Sequence, residues 1–183
     1  MTNVKKFTAK VTALLLALSL ALLSVPQMSF TVFADDDLGS VRVIVENTTF
    51  TEAVSGGEAP AWIGTKVDKW VSLDKNSSAM TCIKDAIESS GFTQTGADAG
   101  YISEIAGLKE KAGGSMSGWM GTLNDWFTNE GFTAYTVANG KLVSGDEIRM
   151  QYTMDWGADL GSDWSGTDTS LKAISSDYGT LSP

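Results

Sequence analysis

Three stretches of the chain change polarity at every second residue. Val41, Val43 and Val45 alternate with Arg42, Ile44 and Glu46, the period of a strand with one face turned to a core. Val67, Val71 and Leu73 alternate in the same way with Lys66, Asp68 and Ser72. Between the two lies Ser55-Gly56-Gly57-Glu58-Ala59-Pro60, which is turn chemistry, so the pair reads as a hairpin with a long, irregular connection. The cleanest alternation comes late, where Ile148, Met150, Tyr152 and Met154 interleave with Arg149, Gln151 and Thr153. Only one segment has the helical period. Met80, Ile83, Ala86 and Ile87 fall on one face behind a cap at Ser77 or Ser78, and Gly91 followed by Phe92 supplies the stop.

Shorter signals fill the remainder. Tyr101 to Leu108 predicts a short strand, and Gly118 to Asn124 a further one after the break at Gly113-Gly114-Ser115. Asn139-Gly140 and Gly145-Asp146 mark turns before the closing strand. A strand pair, one helix and then more strands is the order of an α+β domain, a mixed sheet with one main helix on one face. The β-grasp is the simplest architecture with that order.

The two ends have a different character. Lys5, Lys6 and Lys10 precede an apolar run from Val11 to Val25, and Val32-Phe33-Ala34 follows it. This predicts a signal peptide over residues 1–34, cut before Asp35. The run is shorter than the roughly 20 residues that span a bilayer, so no membrane attachment is expected after cleavage. Residues 35–40 read as a solvated lead-in and 41–161 as the domain. Residues 162–183, rich in Ser, Thr, Asp and Gly, read as a tail.

Three of these segments together resemble the DUF4430 family, also called the transcobalamin-like C-terminal domain. They are the helix Ser78-Ala79-Met80-Thr81-Cys82-Ile83-Lys84-Asp85-Ala86-Ile87, then Gly118-Trp119-Met120 leading to Asn124, then Gly145-Asp146-Glu147-Ile148 with the strand beyond it. The resemblance implies a β-grasp-like domain related to soluble-ligand-binding modules. In vitamin B12 carriers a similar domain covers one face of the corrinoid, so cobalamin is a ligand the resemblance suggests. The chain departs from the family pattern after Asn124. There Asp125 stands where glycine is usual, and an aromatic insertion runs on to Asn139-Gly140.

Charge narrows the partners. The leader takes three of the 13 Lys and Arg and none of the 22 acids, leaving 10 against 22, a net charge of −12. Such a surface repels phosphate backbones, which disfavours nucleic acid. Cys82 is the only cysteine, so no intrachain disulfide forms. An exported, disulfide-free chain with a Lys-rich leader fits a Gram-positive bacterium. Without histidine, the usual triads and His-ligated metals are excluded. Asp155, Asp159, Asp163 and Asp168 lack the spacing of a calcium loop. No catalytic residue, metal site or bound cofactor is expected.

Aromatic residues carry what remains. Trp70 interrupts the polar face of the second strand, Trp126 and Phe127 lie in the insertion, and Trp156 follows the last strand. Each can stack on a flat ligand or a sugar ring, or can pack a corner of the core. Trp126, Phe127 and Trp156 are expected at one edge of the sheet if the insertion folds back. The sequence thus predicts a secreted, non-enzymatic binding module for a corrinoid-like or other soluble ligand. A cell-surface recognition or adhesion domain for protein or glycan is the alternative in the same class. A small carboxylate-dependent hydrolase is the alternative in another.

Overall fold

A computed structural model describes residues 38–162 apart from Gly56 and Asn129. The expected signal peptide and the expected tail from Asp163 onward lie outside the described residues. Strand β1 (Ser40–Asn47) pairs antiparallel with β2 (Gly64–Ser72), with a bulge between Val45 and Glu46. Helix α1 (Ala79–Ser89) follows. Three two-residue strands, β3 (Gln94–Thr95), β4 (Glu104–Ile105) and β5 (Leu108–Lys109), make a small separate sheet. Strands β6 (Gly118–Leu123) and β7 (Trp126–Phe127) form a hairpin, and β8 (Glu147–Thr153) closes the domain. The large sheet runs β2-β1-β8-β6-β7, with β1 and β8 parallel and every other pair antiparallel. That order, with first and last strands side by side at the centre, is the β-grasp arrangement, and the domain is α+β.

The helix follows its local chemistry closely. Ser78 is the N-cap, its hydroxyl accepting from Thr81 N while the Thr81 hydroxyl accepts from Ser78 N, a reciprocal box closed at both ends. At the other end Gly91 takes φ 81°, Phe92 N donates to Ile87 O at 3.1 Å and Gly91 N to Glu88 O at 3.0 Å. This is a complete Schellman stop, which needs a left-handed residue at that position. Ala79, Met80, Cys82, Ile83, Ala86 and Ile87 are buried, in one cluster with Val41, Val43, Val45, Ile148 and Met150.

Aromatic rings lock the small sheet to the large one. Trp62 stacks on Trp119 with centroids 5.7 Å apart, and Trp119 meets Tyr152 edge-on at 5.2 Å. The two indoles also donate to carbonyls of the small sheet, Trp62 to Ile105 and Trp119 to Leu108, each at 3.2 Å. Trp119 is therefore a core and anchoring residue.

Three expectations are corrected. The single strand expected from Tyr101 to Leu108 is instead the β4–β5 hairpin, turned by Ala106 and Gly107 at φ 48° and 83°. Two positive φ values in succession make the turn that matches strand twist. The aromatic insertion is likewise a hairpin, because Asn124 and Asp125, at φ 51° and 67°, turn Trp126–Phe127 back onto Leu123 and Thr122. Finally, the polar positions of β8 do not face water: all seven residues of the strand are buried.

Candidate functional site: a groove along an open strand edge

The β6–β7 hairpin is short, and this creates the site. Only Thr122 and Leu123 of β6 find partners in β7, so among the described residues the strand from Gly118 to Gly121 has β8 on one side and no strand on the other. Gly121 allows a close approach here: a Cβ would collide with the ring of Phe132. A cavity of about 180 Å³ wraps this edge, with Trp119, Gly121, Phe127, Phe132, Met80 and Ile102 in its walls. Beside it lies a second cavity of about 340 Å³, lined by Glu110, Met116 and Trp156 among others. Tyr101, Trp119 and Met120 line both, so the two cavities adjoin along the strand edge and are treated together as the groove.

The rim of the groove is aromatic and thioether-rich. Tyr101, Met116 and Trp156 are 53%, 50% and 60% exposed, far more than large apolar groups in a closed core. Tyr101 is held by its hydroxyl, which donates to Glu110 Oε2 at 2.6 Å. Burial, and then the hydrogen bond to Glu110, push its pKa up to about 12, so the ring presents a protonated phenol rather than a nucleophile. Trp156 is held differently. Its φ is 49°, a left-handed conformation uncommon for so bulky a residue. Trp156 N donates to Met116 O at 3.0 Å, and Gly157 N to the Thr153 hydroxyl at 2.6 Å. Asp159 accepts from the Thr153 hydroxyl and from Met154 N. A strained backbone that carries an exposed indole over a groove is a reason to suspect use.

The four aromatic candidates separate. Phe127 and Trp156 line the groove, one in each cavity. Phe127 is only 2% exposed and packs with Leu160 and Met120, so it serves as floor. Trp126 lines neither cavity; it pairs with Leu123, at the far end of β6 from Met116 and Trp156. At about 3.3 Å per residue that puts Trp126 on the order of 20 Å from Trp156, so the two do not share a platform. Trp70 sits two residues before the end of β2, on the opposite edge of the sheet. Tyr101, Met116 and Met120 were not foreseen, since the first two come from loops and carry no periodic signal.

The expected acidic loop is part of the scaffold. Asp159 is committed to Thr153 and Met154, while Asp163 and Asp168 lie outside the described residues. Among the described residues no group of three or more His, Cys, Asp or Glu is placed to hold a metal. Cys82 is buried on the helix, and burial, with Asp85 close by, pushes its thiol up to about 11, which leaves it unreactive. No helix among the described residues is long and apolar enough to cross a membrane.

Residues 76–154 match the family model for a domain of unknown function (DUF4430). The match takes in α1, both sheets from β3 onward and β8, and it leaves out the β1–β2 hairpin. Since β1 lies between β2 and β8, the folded unit is larger than the matched segment. No curated protein matches the chain.

Proposed function

We propose that this chain, which belongs to the DUF4430 family through residues 76–154, is a non-enzymatic binding module whose soluble ligand lies in the groove along β6. The observation that carries the reading is the pair of adjoining cavities that share Tyr101, Trp119 and Met120 under an exposed aromatic rim. Small-molecule sites are concave, mostly apolar and on the order of 300–1,000 Å³, and the larger cavity falls in that range. Its chemistry suits a flat apolar body or a sugar ring, stacked on Trp156 and Tyr101, with Glu110 and Lys111 to fix orientation. A corrinoid is larger than the groove and would rest across the rim. With its leader removed before Asp35, the module works outside the cell, where a disulfide-free acidic chain stays soluble.

The rim also favours a second reading, recognition of glycan at a cell surface, because exposed Tyr and Trp faces stack on sugar rings. One experiment separates the readings. Protein recovered from culture medium, with an intact mass starting at Asp35, is screened by thermal shift against corrinoids, glycans and cell-wall fragments. A ligand specific for the folded state raises the melting temperature. Trp156→Ala should then weaken binding about 3- to 10-fold, the worth of one aromatic contact, while Trp126→Ala binds as the parent does. A ligand held equally well by Trp156→Ala places the site elsewhere.

A further inference from the structure

The groove lies at one edge of the large sheet, and the opposite edge is different in kind. Strand β2 is nine residues long and, among the described residues, pairs only with β1. Leu73 N donates to Gly39 O, one step past the Ser40↔Ser72 pair. By antiparallel alternation the backbone groups of Val71, Lys69 and Val67 therefore point inward to β1, and those of Ser72, Trp70 and Asp68 point outward. Among the described residues no hydrogen bond reaches these outward groups. In their middle stands Trp70, 57% exposed. A long edge that carries an exposed indole is a template for another strand.

We propose that the occupant of this edge is the β2 strand of a second copy of the chain, paired antiparallel about a two-fold axis at Trp70. The register argument selects it. Outward groups must meet outward groups, so each pairing must set even-numbered positions opposite even-numbered ones. Centring the axis on Asp68 sets the two Asp68 carboxylates face to face. Centring it on Lys69 opposes the two Lys69 side chains, and centring it on Val71 opposes Asp68 to the other copy's Asp74. Centring it on Trp70 creates no like-charge pair. It sets indole against indole, Asp68 against Ser72, Lys69 against Val71 and Lys66 near Asp74. Like charges directly opposite are destabilising, whereas aromatic cross-strand pairs are favourable. An axis on Val67 also avoids like charges, but it sets Trp70 against Gly64 and draws the bulged Lys66 into the ladder, so the Trp70 axis is the one that pairs the indoles, as a self-complementary two-fold interface requires. The contact is small beside the about 1,200–2,000 Å² of stable interfaces, so association is reversible. Each copy carries a net charge of −12 without its leader, so added salt strengthens it.

Sedimentation velocity across a concentration series measures the association, and cross-linking reads the register. The parent chain should move toward dimer as concentration and salt rise. Trp70→Lys, which places two ammonium groups on the axis, should weaken the dimer at least about 10-fold with little change in melting temperature. Under mild oxidation W70C should form a linked dimer by itself, because directly opposed Cα atoms about 5.5 Å apart are within disulfide reach. D68C and S72C should each stay unlinked alone and cross-link when mixed, a pairing no other register gives. Buried Cys82 keeps the parent chain unlinked as control. A chain monomeric at every concentration and salt overturns the proposal and leaves the edge to a heterologous strand. A dimer that survives Trp70→Lys unchanged, or single variants that link indiscriminately, overturns it as well.

Discussion

Around the closing strand β8 the two faces of the large sheet are both closed to water, yet by opposite chemistry. Toward the helix stand Val41, Val43, Val45, Ile148, Met150 and Tyr152, none more than 4% exposed. On the far face Glu46, Thr122, Glu147, Arg149, Gln151 and Thr153 are almost as deeply buried. Arg149 organises that face, with Nε 2.7 Å from Glu147 and 3.8 Å from Asp125, and Nη1 3.4 Å from Glu46. Arg42 extends the network, reaching Asp68 at 2.8 Å and Glu147 at 3.1 Å. The apolar face gains stability in proportion to area and tolerates small shifts. The charged face gains little net energy when intact and loses much when broken. One face supplies stability, and the other penalises any strand register except the observed one.

The largest expected effect tests the charged face. Arg149→Met leaves Glu46, Asp125 and Glu147 crowded without their central cation, and should cost about 3–5 kcal/mol at pH 7 by urea denaturation. A loss within the range of an ordinary surface substitution would show that the network is incidental. Ile83→Ala and Ile87→Ala probe the apolar face, and each should cost about 2–5 kcal/mol, with no dependence on pH. If both variants unfold at the parental urea concentration, α1 is not packed as described.

The smallest effect lies at the exposed rim of the charged face. The Arg42 guanidinium holds the Asp68 carboxyl below its usual range of about 3.8. A depressed carboxyl contributes stability above its unfolded pKa and loses it as pH falls through the folded value. Asp68→Asn should therefore flatten the fall of the melting temperature below about pH 4, with a modest amplitude because the pair is half-exposed. An acid limb identical to the parent's would remove Asp68 from the network.

The same contrast explains what could be read from the sequence. The period-2 runs and the helical stripe located β1, β2, α1 and β8, because the apolar face needs a patterned set of side chains. Alternation reports polarity and not exposure, so Arg149 and Gln151 read as solvent-facing although the far face is covered. Ala106 gave no turn signal, since alanine seldom adopts positive φ. Asn124-Asp125 did carry one, as both residues tolerate that conformation, but it was read as the start of an insertion. The groove was the least legible part. Phe127 and Trp156 stood out as aromatics, whereas Tyr101 and Met116 meet them only once separate loops converge.

The parallel pairing of β1 with β8 governs how the chain must fold in time. Arg42 lies beside Glu147, so the centre of the sheet is built from residues more than a hundred positions apart. Pairing across such a span must first close a long loop, which slows folding relative to local contacts. A nascent chain growing at about 5–20 residues per second has its first two strands made seconds before the strand that separates β1 from β6. Until then the β1–β2 hairpin has no stable partner, since an isolated hairpin is marginal in water. Whatever meets the chain during synthesis meets an extended polymer, and the finished sheet is the product of a single late event.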